Sequence, residues 1–259
     1  MSGLKDHIHT QVDGAVLHVD LRRPTKHNAI NDAMIARLND IWLNIPSGVR
    51  VVLLTAEGQS FCAGLDLSEQ VARSPFDAVH HSRSWHDCFR RMERRGIPIV
   101  AALKGPVIGG GLELALVAHV RVACPSAYYA LPETKHGFFV GGGASVRASR
   151  IIGVSRMQEM MLTCRVFGSS EGQSLGLSHY LSEMGKAEEK AMELARKIAT
   201  NSPETNFAIT VALPHIADMS ADDGFFTEAV MEGVIQSSPS LMEGLAGFLS
   251  GRQKTKLGE

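Results

Sequence analysis

Two carboxylates stand 20 residues apart, Glu113 and Glu133, each close behind a segment that reads as a strand. Before the first of them, the apolar run at residues 97–103 leads into Gly109-Gly110-Gly111, and helical composition follows at residues 112–118. Three glycines in a row let another group approach the main chain, and the N–H groups that open a helix have no partner within it. Such a turn can cradle an oxyanion, and Glu113, in the first helical turn, can project beside it. Alone, a glycine run is more often a packing device or a phosphate loop. This one lacks the third glycine of GxGxxG and has no GK[ST], so it matches neither common nucleotide pattern.

Two further turns have the same placement. Ser60-Phe61-Cys62-Ala63-Gly64-Leu65-Asp66 follows the apolar run VVLLT at residues 51–55, and Ala130-Leu131-Pro132-Glu133 follows Tyr128-Tyr129. Three strand exits of this kind can gather main-chain donors and carboxylates at one place. On residue types alone, Glu113 could equally cap its helix and Glu133 pair with a surface arginine. His80, His81, His86 and Cys88 lie close in sequence, yet no HExxH or CxxC accompanies them, so a metal is not expected. Met157, Met160 and Met161 read as core filler, and Ser145 lacks the GxSxG frame of a nucleophile elbow.

The elements that must position these groups alternate in type. Residues 14–21 read as a strand ending at Arg22-Arg23-Pro24. Asn31 can cap a helix with Ile35, Leu38, Ile41, Trp42 and Ile45 on one face, stopped at Pro46. A longer helix over residues 76–95 turns Val79, Trp85, Phe89 and Met92 inward, with Gly96 as its stop. Strands are expected at residues 120–123 and 128–131, and helices at 145–152 and 155–162. Beyond Lys186 the pattern is helical, with segments at residues 207–216, 225–234 and 241–248. The order is α/β. The division expected is a core over residues 1–200 and a helical region over residues 201–259, meeting near Ser202-Pro203.

Composition narrows the partners. The 26 Lys and Arg residues balance 27 Asp and Glu, so no overall field attracts nucleic acid or an anionic membrane. Cys62, Cys88, Cys124 and Cys164 are scattered and do not suggest a disulfide framework. No stretch is apolar enough to span a bilayer and the first residues lack a signal core, so the expected location is cytoplasmic.

Taken in order, RRPTKHNAI, TAEGQSFCAGLDL, KGPVIGGGLELAL and YALPETKHGFFVGGG resemble the crotonase superfamily over essentially the whole chain. The resemblance implies a ClpP/crotonase-like spiral of repeated ββα units with a C-terminal helical region that assembles homotrimers, or hexamers as dimers of trimers. It also implies an acyl-CoA thioester as substrate, polarised by the amides of Leu65 and Gly110. CoA then enters as part of the substrate and no separate cofactor is needed. By motif position, Glu113 and Glu133 match the acid/base pair of enoyl-CoA hydratases. Lys26, His27, Asn28 and Ala29 match the CoA-contacting loop, the carbonyls of Ala63 and Leu65 match the adenine-binding turn, and Asp66 counts with them toward CoA binding. Residues 243–252 resemble a tail helix that reaches a neighbouring subunit's CoA, with Gly251 in place of a usual lysine and Arg252 or Lys254 as substitutes.

The run YYALPE…GFFVGGGASVR is also similar to that of methylthioacryloyl-CoA hydratases. Enoyl-CoA isomerisation is the nearest alternative activity, since it uses the same enolate and one base. An inactive homologue that binds CoA or RNA is the non-enzymatic one. Phe138 and Phe139, just after Glu133, are expected to close the acyl pocket and favour short chains.

Overall fold

The computed structural model describes residues 7–69, 71–239, 241–242 and 246. Among the described residues, nine strands form two sheets. The larger contains β1 (Ile8–Asp13), β2 (Val16–Leu21), β3 (Val51–Ala56), β4 (Ile99–Leu103), β6 (Val120–Ala123) and β9 (Tyr180–Leu181) in the order β1-β2-β3-β4-β6-β9. The smaller contains β5 (Pro106–Ile108), β7 (Tyr128–Ala130) and β8 (Phe167–Gly168), with β7 in the centre. All pairings are parallel except β1 with β2 and β7 with β8. Register is set by pairs such as Val16 with Val51 and Val52 with Ile99.

Ten α-helices complete the described chain: α1 (Asp32–Leu43), α2 (Pro75–Glu93), α3 (Gly110–Ala115), α4 (Ala144–Ile152), α5 (Val154–Thr163), α6 (Ser169–Ser174), α7 (Ala187–Ala199), α8 (Pro203–Phe207), α9 (Leu213–Ile216) and α10 (Ala221–Gln236). A π-helical turn, Ala208–Ala212, joins α8 to α9.

One unit recurs four times. In each, the chain leaves the larger sheet, forms a short stretch of extended pairing, and then enters a helix. β2 is followed by Ile30, which bridges to Leu65, and by α1; β3 by Cys62, which bridges to Val107, and by α2. β4 is followed by β5 and α3, and β6 by β7, the 3-10 turn Glu133–His136 and α4. This is the expected spiral of ββα units, and it puts the three strand-exit turns of the sequence beside one another.

Burial on both faces of the larger sheet accounts for the unbroken apolar run of β3. Val52, Leu54 and Ala56 pack with α1 and α2 in the main core. Val51 and Leu53 face the other way, against Ala187, Ala191 and Ala195 of α7. Leu38 and Trp42 of α1 are fully buried, and burial of Leu38 stabilises the fold by about 1.5–3 kcal/mol. The Asn31 side chain accepts from Met34 N and caps α1 as expected.

Several boundaries differ from the sequence expectation. Residues 14–15 are the β1–β2 turn rather than strand, and Pro98 delays β4 to Ile99. Helix α3 opens inside the glycine run, at Gly110, and ends at Ala115. Trp85, Phe89 and Met92 of α2 are buried, but Val79 is exposed, because the first turns of α2 border a cleft rather than the core. Helix α10 packs mainly on α9 and the π-helical turn and leaves Phe225, Phe226, Val230 and Val234 exposed. The expected tail contacts of Gly251, Arg252 and Lys254 lie outside the described residues.

Candidate active site

A cleft of about 670 Å³ opens where three of the spiral units end. Ala63, Gly64 and Leu65 line it from the turn after Cys62, Gly109 and Gly110 from the turn after β5, and Pro132 and Glu133 from the turn after β7. Glu113 of α3 reaches it from below, and Ser82, Trp85, Phe138 and Phe139 form its other walls.

Two N–H groups are left over by the local hydrogen bonding. Around the Ile30–Leu65 bridge, Ile30 N donates to Gly64 O at 2.7 Å and Asp66 N to Ile30 O at 2.8 Å. The intervening Leu65 N–H points to the opposite side and donates to no acceptor among the described residues. Gly110 is the first residue of α3, so its N–H has no carbonyl within the helix, and it too donates to none among the described residues. A Cβ on Gly110 would stand 3.5 Å from Leu65 N and 2.9 Å from the Trp85 ring, so the two residues are neighbours and only a glycine fits. Gly109 turns the chain into this position with φ +52°, in the left-handed region.

Glu113 is 3% exposed, and its Oε1 accepts from Gly142 N at 2.8 Å and from Ala144 N at 2.9 Å. Burial pushes its carboxyl above the ordinary value, opposed by these N–H groups and by the Arg147 guanidinium. Glu133 opens the 3-10 turn that Thr134 ties to Met161 O at 2.7 Å. Its Oε1 lies 2.8 Å from where Gly109 would carry a Cβ, and its buried Oε2 has no partner among the described residues. Burial pushes the Glu133 carboxyl up to about 7, and the nearby Glu113 adds to the effect. Cys62, fully buried just before Ala63, has its thiol pushed up to about 12 by burial and stays protonated.

Of the residues singled out in the sequence, the fold brings Glu113, Glu133, Leu65, Gly110 and Ala63 to this cleft. Lys26, His27, Asn28, Ala29 and Asp66 are not among its lining. Asn28 is fully buried and donates to Glu57 O and Ser60 O while accepting from Arg23 N. Asp66 is engaged by Arg23 and Ser68, which hold its carboxyl down at about 2, with the Ser68 hydrogen bond the largest cause. His27 meets Ser60 Oγ at 3.0 Å and Lys26 donates to Ser68 Oγ at 3.1 Å. These side chains lock the loop; Lys26, His27 and Ser68 are on its outer side. Of the histidine and cysteine cluster in α2, His81 meets Asp32 Oδ1 at 2.7 Å and the Cys88 thiol donates to Ile35 O.

Trp85 reads in the sequence as a core residue, and it is also the cleft wall, edge-on to Phe89 at 5.7 Å between centroids. The donors to Glu113 are main-chain groups of the glycine stretch at residues 141–143 and of Ala144. That stretch was the only signal for them.

A family model described as "Enoyl-CoA hydratase/isomerase" matches residues 11–256. Among solved structures, one from Rhodopseudomonas palustris, provisionally named an enoyl-CoA hydratase, is 47% identical and superposes with a TM-score of 0.93 over 95% of both chains. The enoyl-CoA hydratase of Bacillus anthracis is 30% identical, with a TM-score of 0.89 over 98% of this chain and 100% of that one. A mevalonyl-coenzyme A hydratase of Beauveria bassiana is 32% identical over 252 residues, 92% of this chain and 90% of its own.

Proposed function

Since the chain belongs to the enoyl-CoA hydratase/isomerase family, with the crotonase fold, we propose that it is an enoyl-CoA hydratase that adds water to a 2-enoyl-CoA to give a 3-hydroxyacyl-CoA. The observation that carries this is the meeting of two carboxyls in unlike surroundings with two unengaged N–H groups in one cleft.

The thioester oxygen is held by the N–H groups of Leu65 and Gly110, which favour the enolate charge that develops on it. Glu113 accepts a proton from water as the oxygen bonds to C3, and the C2–C3 π electrons move toward the thioester. In the same addition Glu133 gives its proton to C2. Glu113 ends protonated and Glu133 ionised, and proton exchange with solvent restores both. The surroundings fit this division: Glu113 accepts N–H bonds that favour its anion, whereas Glu133 near pH 7 retains a large protonated fraction. The reaction so written calls for no metal or redox cofactor, and CoA enters with the substrate.

The same reading takes the exposed apolar face of α10 as an oligomer interface and the site as cytoplasmic; the unpaired state of all four cysteines is consistent with a reducing compartment. No helix of the described residues is long and apolar enough to cross a membrane.

The test is a panel of crotonyl-, methylthioacryloyl- and long-chain 2-enoyl-CoA, with a 3-enoyl-CoA to probe isomerisation. Loss of the conjugated thioester absorbance and release of free thiol are followed together. Hydration without thiol release is expected; isomerisation without hydration would overturn the reading.

A further inference from the structure

The glycine turn that holds Glu113 is itself held from behind. Arg147, in the first turn of α4, donates through Nη1 to Gly142 O at 3.2 Å. Its Nε and Nη2 reach the two oxygens of Glu93, the last residue of α2, at 3.3 and 3.0 Å. The arrangement is a fork that only a guanidinium can make, and the Arg147 side chain is 11% exposed. From the same helix α2, Ser82 Oγ donates to Gly141 O at 2.7 Å. The carbonyls of Gly141 and Gly142 therefore point back to α2 and α4, and the N–H groups of Gly142 and Ala144 point forward to Glu113.

We propose that Arg147 is a positioning residue of this site, gripping the glycine turn that presents donors to Glu113 and supplying the positive field that keeps this carboxylate ready to accept a proton. The inference deepens the hydratase reading and rests on it for its kinetic consequence, though not for its primary test. Charged and titratable groups meet here from several elements: Glu133 from the turn after β7, His86 and Glu93 from α2, and Arg147 from α4. His81 and His136 line the same cleft. Burial, then Arg147, lowers the His86 pKa, and Arg147 is the cation that acts on Glu113. The same guanidinium opposes the effect of burial on Glu113.

The experiment titrates the Glu113 carboxyl by 13C NMR in full-length protein labelled at glutamate, with the signal assigned by its loss in Glu113→Gln. In Arg147→Met the midpoint should rise by about one pH unit, and in Arg147→Lys, which keeps the charge but not the fork, it should rise by clearly less. Hydration kcat on the acid side should fall about tenfold in the Met variant, while KM changes little. Arg147→Gln replaces the Met variant if that protein does not fold. An unmoved midpoint in the uncharged variants, or an equal rise in Arg147→Lys, would overturn the proposal. If wild type hydrates no enoyl-CoA, the functional reading fails, and the titration still decides the role of Arg147.

Discussion

Glu113 Oε2 lies 2.6 Å from the position a Cβ would take on Gly142, whose N–H donates to the other oxygen of the same carboxylate. The glycine both holds the acid and leaves room for it. In Gly142→Ala the new methyl must displace the carboxylate or the turn. We expect kcat for hydration to fall at least ~10²-fold, the scale of a misplaced acid/base group, with KM nearly unchanged. Steady-state kinetics on crotonyl-CoA check this, and unaltered kcat would show that the carboxylate need not sit where the structure has it.

Glu113→Gln and Glu133→Gln should each lower kcat by about 10²–10⁴-fold with little effect on KM, because the amide keeps the shape but cannot exchange the proton. The two groups act on one water, so the double variant should be little worse than the poorer single one. Additive losses would mean that the carboxyls act in separate steps.

The Glu133 carboxyl, pushed from its ordinary 4.5 up to about 7, makes stability depend on pH. Below 4.5 both the folded and unfolded chains hold the proton. Between 4.5 and 7 the unfolded chain releases it first, so this group lowers stability as pH rises, and its cost is constant above 7. Glu133→Gln should therefore melt a few degrees higher than wild type at pH 8, with the gap closing toward pH 4. Wild-type hydration should also decline above about pH 7 as the proton for C2 is lost. Calorimetry across this range and a pH profile of kcat examine the two halves independently.

Phe225 and Phe226 of α10 are 70% and 72% exposed, beside exposed Val230 and Val234. A face of this kind is covered in an oligomer, and a trimer or a hexamer is expected in solution. Light scattering should show that assembly for wild type and a smaller species for Phe226→Asp. A wild-type monomer at micromolar concentration would remove the basis for the interface.

Phe138 and Phe139 line the cleft beyond Glu133, as the sequence suggested, and are 45% and 71% exposed. Replacing Phe139 by Ala should raise kcat/KM for a ten-carbon 2-enoyl-CoA relative to crotonyl-CoA, by up to about tenfold for the space released. Competition between the two substrates measures the ratio directly; no change would place the chain-length limit elsewhere, Trp85 being the next wall.

Much of this was legible in residue types. VVLLT reads as a buried strand, and Asn31 as a cap, because apolar runs and caps are local signals. The three strand exits were legible too, since glycine, proline and glutamate stand out at turns. β1 was missed because IHTQVD is largely exposed along an edge and carries little apolar periodicity. β5 begins with a proline and is three residues long, and β8 and β9 are shorter still, so only pairing across the fold defines them. The grip of Arg147 on Gly142 depends on α2 and α4 converging, 54 residues apart at Glu93 and Arg147, and no local pattern announces it.

The Leu65 and Gly110 donors are main-chain atoms held by sheet pairing and helix entry, so no side-chain replacement short of proline deletes either of them. Chemistry in this cleft is thus split between a fixed part and an exchangeable one. A designer could vary the groups at 113, 133 and the aromatic wall to reach a different transformation of the same thioester, and would inherit the enolate holder unchanged so long as the glycines and the spiral remain.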